Sequence, residues 1–151
     1  MNPQFLIALA VGTAATVTDL RTREIPNWIP VAALLAGFAF HLWTLGWRGL
    51  GVGFLGALSG FAIFLIFYLL GGMGGGDIKL MTGFGAVLGA GLLLVAAFWT
   101  AIAGGVFAAV VVALNHWKKP SSGNPGDSSR ASIPYAPVIS LGAWIALWSK
   151  A

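Results

Sequence analysis

Cysteine is absent from the 151-residue sequence, and charged residues are scarce. Without cysteine the chain has no disulfide bond, no thiolate metal site and no cysteine nucleophile. Charged residues make up 8% of the chain and hydrophobic residues 58%, whereas a soluble domain contains about 25% charged residues. A soluble fold of this length does not bury so much apolar surface. The sequence therefore predicts an all-α integral membrane protein.

Apolar stretches between the charged clusters predict about six membrane-spanning helices, because one span needs about 20 such residues. We expect single spans in four stretches, namely the residues before Asp19, 25–47, 50–70 and 133–148. The stretch 80–117 fits two short spans, with a turn expected near 98–105. The first stretch also has some features of a signal peptide. It lacks a basic n-region and more spans follow it, which favours a retained helix.

The distribution of basic residues predicts the orientation in the membrane. In the six-span arrangement, the loops on one side hold Arg21, Arg23, Lys79, Lys118, Lys119 and Arg130. The opposite side has only Arg48 and Lys150. Cytoplasmic loops are enriched in lysine and arginine, so both termini are expected to face away from the cytoplasm. The net charge of +4 is scattered over loops without a basic stripe, and no nucleic-acid partner is expected.

The chain is expected to form a single membrane-embedded domain over residues 1–151. Its longest hydrophilic stretch is "KKPSSGNPGDSSRAS", residues 118–132. The proline, glycine, serine and asparagine content of this stretch predicts a flexible cytoplasmic loop. No internal repeat and no appended soluble domain is visible.

Only four acidic residues are present, and three of them are predicted on the cytoplasmic face: Asp19, Glu24 and Asp77. Asp127 falls in the hydrophilic loop. Two carboxyl groups held close together do not both ionise easily, so one keeps a proton while the other is charged. Such a pair activates water and protonates a leaving group, and Asp77 is available to pair with either Asp19 or Glu24. The simpler alternatives are a contact between Asp19 and Arg23 one turn away and an N-cap role for Asp77.

Asp77 follows a glycine-rich run, "GGMGGGD", residues 71–77. Glycine adopts backbone angles closed to other residues, and each glycine in a helix costs about 1 kcal/mol relative to alanine. The run therefore predicts a turn between two spans. A second interpretation is a backbone open enough for an extended peptide to approach Asp77.

Other chemistries have weaker support. His41 and His116 are the only histidines, they are predicted on opposite sides of the membrane, and neither has a partner at metal-ligand spacing. Packing or interface roles are expected for both, and no metal site is expected. Ser59 has no base nearby in sequence for a serine-protease mechanism. The glycine run lacks the G-K-[ST] ending of a phosphate-binding loop.

Three motifs resemble those of the type IV prepilin peptidases. The stretch "GGGDIKL", residues 74–80, is similar to that family's G-x-G-D motif, in which x-K-L follows the aspartate. The stretch "DLRTREIPN", residues 19–27, resembles its first motif, D-x-R-x-x-x-I-P-N. The stretch "IPYAPVISLG", residues 133–142, resembles its closing signature, although Ala136 stands where glycine is usual. The motifs occur in the family order, and the resemblance covers essentially the whole chain.

The resemblance implies a six-helix membrane aspartyl peptidase that uses no cofactor and no metal. It implies that Asp19 and Asp77 are the catalytic pair, and it leaves Glu24 at a variable position. Matching positions that are expected to bind substrate or shape the site are Gly74, Gly76, Lys79, Arg21, Pro26 and Asn27. The lysine is expected either to hold one carboxylate ionised or to bind substrate.

The absence of cysteine is a departure from longer bacterial members of the family. Those members carry a cysteine-containing insertion associated with zinc and with N-methylation of the trimmed pilin. This chain therefore resembles the short CpaA/TadV-like peptidases of tight-adherence (Flp) pili, with the archaeal preflagellin peptidases as a second possibility. The implied activity removes a short leader from type IV pilin-like precursors at the cytoplasmic face of the inner (plasma) membrane. The oligomeric state is left open.

Two other function classes remain open at this point. In a small multi-span transporter or channel component, the acids would serve as ion relays and the glycines as a broken helix. That alternative expects the acids near the middle of the bilayer, whereas the sequence predicts them at its cytoplasmic edge. In a non-catalytic assembly scaffold, the acids would have no chemical role.

Overall fold

The computed structural model describes residues 2–70, 74–117 and 136–148 of the chain. Five helices account for its secondary structure: α1 (Pro3–Thr22), α2 (Trp28–Leu45), α3 (Trp47–Leu69), α4 (Gly75–Trp117) and α5 (Ala136–Trp148). The hydrophilic stretch 118–132, predicted to be a flexible loop, and glycines 71 and 72 lie outside the described residues.

Four of the helices are long and apolar enough to cross a membrane. They are Pro3–Thr22, Trp28–Leu45, Trp47–Leu69 and the Gly75–Val106 part of α4, while α5 is a shorter apolar helix. The prediction of a helical, multi-pass membrane protein is confirmed. The first three helices follow the bounds expected from the sequence to within about one turn.

The break inside α4 differs from the expected one. We expected a turn near 98–105, but the helix continues through these residues. The non-helical residue is instead Gly89, with φ 73° and ψ 164°. This backbone conformation is essentially restricted to glycine, so α4 consists of two helical segments joined at Gly89. The expectation was wrong because this one glycine was not distinguishable by composition from the many helical glycines around it.

Polar side chains from α1 and α2 stabilise the broken backbone at Gly89. A helix end leaves its last carbonyl groups without intrahelical partners, and lipid offers them none. Gln4 Nε2 donates a hydrogen bond to the carbonyl oxygen of Val87 at 2.7 Å. His41 Nε2 lies 3.1 Å from the same oxygen. The buried polar residues Gln4 and His41 thus satisfy the carbonyl that precedes the break.

Small residues let the first segment of α4 pack closely between α2 and α3. A Cβ atom added to Gly37 in α2 would lie 2.6 Å from the backbone of Ala86. A Cβ atom on Gly56 in α3 would collide with the carbonyl oxygen of Gly85. A Cβ atom on Gly85 would likewise collide with the carbonyl oxygen of Gly56. Close packing of small residues is the common way for helices to associate in lipid. These contacts place the first segment of α4 at the centre of the bundle.

Helix α5 packs antiparallel to α1. Trp144 Nε1 donates to the carbonyl oxygen of Ala8 at 3.1 Å, and Ser140 Oγ lies 3.1 Å from the carbonyl oxygen of Gly12. The other side of α5 contacts the second segment of α4, where Gly142 lies directly against Thr100. The start of α5 consequently reaches the same end of the bundle as the last turn of α1.

Candidate active site

Asp19 lies in the last turn of α1, three residues before the helix ends at Thr22. Its side chain is only 6% exposed. Oδ2 of Asp19 accepts a hydrogen bond of 3.0 Å from the backbone N–H of Ala136, the first residue of α5. An acid at this depth in an apolar bundle is costly and marks a functional position by default.

The end of α1 separates Asp19 from the next acid along the chain. Arg23 adopts a left-handed conformation, with φ 55° and ψ 26°, and its backbone N–H donates to the carbonyl oxygen of Asp19 at 2.9 Å. This is the αL type of helix C-cap. Arg23 thus contacts Asp19 through its backbone rather than by the side-chain ion pair considered from the sequence. Glu24, beyond the cap, is exposed.

Asp77 lies in the first turn of α4 and is 7% exposed. It is the third residue of the helix rather than its N-cap, as the sequence alone had allowed. Its Oδ2 atom accepts a hydrogen bond of 3.1 Å from the backbone N–H of Gly74, the residue that precedes the helix. A side chain that reaches back in this way forms the N3 half of a capping box. Asp77 therefore both caps α4 and directs a carboxyl group into the bundle.

The two buried acids share one end of the bundle, because Gly76, next to Asp77, lies against Ile25 just beyond the end of α1. They come from helices separated by more than fifty residues of chain. Of the two acids that the sequence offered as partners for Asp77, Asp19 is buried at the same end of the bundle, whereas Glu24 is exposed to solvent.

Part of the glycine run before Asp77 lies inside α4. Gly75 and Gly76 are the first two residues of α4, so the expectation that the glycine run stays outside the helix is wrong for these two. The free-energy cost of placing these glycines in a helix is offset because Asp77 caps the first turn. A Cβ atom on Gly76 would lie 3.4 Å from Cβ of Ile25. Gly76 thus lies in contact distance of the chain that follows α1.

Lys79 contacts neither aspartate within the described part of the chain. Its Nζ atom donates to Oδ1 of Asn27 at 2.9 Å. Two residues of the first motif-like stretch, Ile25 and Asn27, thus touch the first turns of α4. Arg21 is exposed on the last turn of α1, and Pro26 is half-buried between these contacts.

Ala136 is a site residue that the sequence analysis did not identify, because it contributes through its backbone. It is fully buried and donates to Asp19. The motif-like stretch at residues 133–142 could have indicated a site role for this part of the chain, since no function had been assigned to it. Side chains alone gave no reason to connect it with Asp19.

The described residues do not bring three His, Cys, Asp or Glu side chains together in a group that could hold a metal ion. His41 is buried beside the Gly89 break, away from the two aspartates. The side chain of His116 lies outside the described residues. The site therefore consists of two carboxyl groups, backbone donors and one lysine–asparagine contact.

Comparison with known proteins agrees with this geometry. Residues 6–109 match the type IV leader peptidase family. The chain is 30% identical over 151 residues to a prepilin leader peptidase/N-methyltransferase of Aeromonas salmonicida strain A449, an alignment that covers 94% of this chain and 47% of the relative. It is 33% identical over 145 residues to a protein of the same name from Bacillus subtilis strain 168, covering 93% and 53%.

A preflagellin peptidase of Methanococcus voltae is 32% identical over 90 residues, which are 55% of this chain and 39% of that protein. The chain thus spans about half the length of the bacterial relatives. No solved structure matches it. Because the family match covers more than half of the sequence and includes both buried aspartates, the chain belongs to the type IV leader peptidase family.

Proposed function

We propose that the protein is a membrane aspartyl endopeptidase that removes the short leader from type IV pilin-like precursors. The observation that carries this proposal is the pair of buried carboxyl groups of Asp19 and Asp77 at one end of an apolar bundle. Two such groups can share one proton and act as general base and general acid in peptide hydrolysis, as in the aspartic proteases. The relatives named as prepilin and preflagellin peptidases support the same substrate class.

The mechanism needs one ionised and one protonated carboxyl group. The ionised aspartate takes a proton from water as the water oxygen attacks the peptide carbonyl carbon. The protonated aspartate gives its proton to the carbonyl oxygen, which forms a tetrahedral diol. The diol then collapses: one carboxyl group gives its proton to the leaving amine as the C–N bond breaks, and the other takes a proton from a diol hydroxyl, which restores the singly protonated pair. The two groups titrate as a unit, and no covalent intermediate forms.

The position of the acids within their helices favours peptide hydrolysis over an ion relay. Asp19 is in the last turn of α1, and Asp77 is in the first turn of α4. Both acids are therefore at helix ends, within reach of a substrate segment that leaves the membrane. An ion relay requires acids near the middle of the spans.

We infer that the site faces the cytoplasm. Among the described basic residues, Arg21, Arg23 and Lys79 lie at the end of the bundle that holds the two aspartates. Arg48 lies in the first turn of α3, at the opposite end. Lysine and arginine are enriched on the cytoplasmic side. The leader and the scissile bond of an inner-membrane precursor would meet the site on that side.

We further propose six membrane crossings in one domain, with both termini outside the cytoplasm. The first segment of α4 runs from Asp77 to Gly89, whose neighbours are His41 and Val52 at the other end of the bundle. The second segment then returns, because Ala96 and Thr100 lie against Gly142 in the middle of α5. With α1, α2, α3 and α5, the two segments make six.

Within the family, we propose the tight-adherence (Flp) type of substrate, for a peptidase without coupled methyl transfer. The described site has carboxyl groups suited to hydrolysis, and the sequence has no cysteine. A pilin precursor of this type has a short basic leader followed by an apolar helix. Its leader would be attracted to the acidic site, while its helix would remain in the lipid.

The test is a cleavage assay in which the purified protein, in lipid, acts on a pilin precursor of the Flp type. Asp19→Asn and Asp77→Asn are each expected to abolish cleavage, while membrane insertion is retained. Glu24→Gln is the matched control and is expected to cleave normally, because Glu24 is exposed. Normal cleavage by either aspartate variant would overturn the proposal. A second precursor of the preflagellin type, assayed in parallel, tests the substrate preference.

A further inference from the structure

The two carboxyl groups of the site obtain their backbone hydrogen bonds from different sources. Asp77 lies at the N-terminal end of its own helix, where free N–H groups are available, and it accepts from Gly74 at 3.1 Å. Asp19 lies at the C-terminal end of α1, where the unpaired backbone groups are carbonyl oxygens. The helix dipole at that end is also negative. The helix that carries Asp19 therefore offers its carboxylate no free donor and an unfavourable field.

The N-terminus of α5 supplies the backbone hydrogen-bond donor that α1 lacks. The N–H group of Ala136, the first residue of α5, donates to Oδ2 of Asp19 at 3.0 Å. Both residues are buried, and Ala136 has no exposed surface. A backbone donor in a packed helix has no side-chain rotation, so it fixes the direction of the carboxyl group more firmly than a flexible side chain would.

The position of α5 along α1 is fixed by further polar contacts. Ser140 Oγ lies 2.8 Å from the carbonyl oxygen of Ala136 and 3.1 Å from that of Gly12. Thr16 Oγ1 donates to Ser140 Oγ at 3.3 Å. Ser140 is completely buried and lies one turn beyond Ala136. Ser140 therefore links the first turns of α5 to α1, one turn away from the contact between Ala136 and Asp19.

We infer that α5 is the positioning element for Asp19: the Ala136 N–H orients the carboxyl group, and Ser140 holds that donor in register. This inference rests on the proposed function, because it concerns the geometry of the Asp19–Asp77 pair during hydrolysis. It gives a physical task to the closing motif-like stretch at residues 133–142. Both residues act through Asp19, Ala136 directly and Ser140 through Ala136, so both are positioning residues.

Ala136→Pro removes the donor but also adds a ring at a buried position, so it is compared with a variant that adds volume alone. Proline has no backbone N–H and is well tolerated at the first position of a helix. We expect kcat for precursor cleavage to fall about 10- to 100-fold, the effect of a misplaced catalytic group, with KM changed less than about threefold. Ala136→Val retains the N–H and adds side-chain volume, and we expect its kcat to fall much less. Equal losses in the proline and valine variants would overturn the inference.

Ser140→Ala tests the same inference without altering the backbone. We expect a smaller fall in kcat, on the order of threefold to tenfold, because the contacts of the hydroxyl with Thr16 and Gly12 are lost while the Ala136 N–H remains, again with KM unchanged. Ser59→Ala is the matched control, because Ser59 is a half-buried serine of α3 whose hydroxyl donates only to the carbonyl oxygen of Leu55 one turn earlier. Wild-type kcat in Ser140→Ala would contradict the register role.

The wild-type protein is assayed first on the same precursor. This assay distinguishes failure of the positioning role from failure of the proposed function. If it cleaves and the Ala136→Pro variant matches it in kcat, the positioning role is wrong and the proposed function stands. If the wild-type protein does not cleave the precursor, the proposed function itself fails.

Discussion

Nζ of Lys79 donates a hydrogen bond to Oδ1 of Asn27 at 2.9 Å, across 52 residues of sequence. One turn earlier in α4, Gly76 lies against Ile25. The connection that follows α1 is thus attached at two points to the helix that carries Asp77. Because Asp19 is in the last turn of α1, these two contacts also restrain one aspartate relative to the other.

The first prediction concerns this Lys79–Asn27 contact. Lys79→Met and Asn27→Ala are each expected to lower kcat for precursor cleavage by about threefold to tenfold, since an exposed hydrogen bond contributes on the order of 1 kcal/mol. The double variant should be no worse than the poorer single variant, because both substitutions remove one shared interaction. Steady-state cleavage kinetics of the three variants measure this coupling.

Arg48→Met is the control for the loss of a positive charge, because Arg48 lies at the other end of the bundle. It is expected to leave kcat unchanged. If the two single effects simply multiply in the double variant, Lys79 acts independently of Asn27. Direct binding of the precursor by Lys79 would then be the better account, and it would appear as a raised KM.

The second prediction separates the structural role of Asp77 from its proposed chemical role. Asp77→Asn keeps an oxygen that accepts from Gly74 and removes a buried ionisable group. We expect it to unfold at the same temperature as the wild type or higher, while cleavage is lost. Asp77→Ala removes the cap as well and should be less stable than Asp77→Asn by about 1 kcal/mol. Melting curves in detergent micelles, measured beside the cleavage assay, test both statements.

Equal destabilisation by the asparagine and alanine variants would contradict this division. It would show that the charge of Asp77, rather than an acceptor at its position, holds the start of α4. The loss of cleavage in Asp77→Asn would then have a structural cause.

Much of the site was predictable because its signals are local. Charge scarcity predicted a membrane bundle, and the apolar stretches predicted α1, α2 and α3 to within about one turn. The acids at the ends of apolar stretches predicted that Asp19 and Asp77 would share one end of the bundle. Helix α4 shows where this approach fails, since its break depends on Gln4 and His41 bonding to the carbonyl oxygen of Val87. Such contacts connect distant parts of the chain.

The contribution of Ala136 was unpredictable for a different reason. Its side chain is a methyl group, and its function in the site is a backbone N–H that every residue except proline has. Only the packing of α5 against α1 directs that group to Asp19. Sequence patterns indicate which side chains are available, but the choice among identical backbone donors depends on tertiary packing.

The third prediction tests the break in α4. Gly89→Ala is expected to destabilise the protein by about 1–3 kcal/mol, the cost of a non-glycine residue in this backbone region. The added Cβ would also lie 3.0 Å from Cγ1 of Val52. Gly91→Ala is the matched control, since Gly91 has open space around it. It is expected to be neutral or slightly stabilising, because alanine is the better helix former.

Thermal unfolding of both variants in micelles measures this difference. A Gly89→Ala variant as stable as Gly91→Ala would contradict the break at Gly89 and favour a continuous helix. In that case the return of α4 across the membrane would need a turn elsewhere, and the six-crossing proposal would lose its support.

The fourth prediction tests the close packing that centres α4. Gly56→Ala is expected to destabilise the protein by about 1–3 kcal/mol, the usual cost of overpacking, because the added methyl group would collide with the carbonyl oxygen of Gly85. Gly51→Ala, five residues earlier in the same helix, adds a methyl group into open space. Its expected effect is neutral or stabilising. The comparison is made by melting temperature in micelles, with cleavage measured in parallel.

Cleavage adds a second criterion to this comparison, because α4 carries Asp77. A shift of α4 away from α3 moves Asp77 relative to Asp19, and a misplacement of about 1 Å costs on the order of 100-fold in rate. Gly56→Ala should therefore lose activity below its melting temperature, whereas Gly51→Ala should not. Equal stability and equal activity in the two variants would contradict the close contact between Gly56 and Gly85. The position of Asp77 would then not depend on α3.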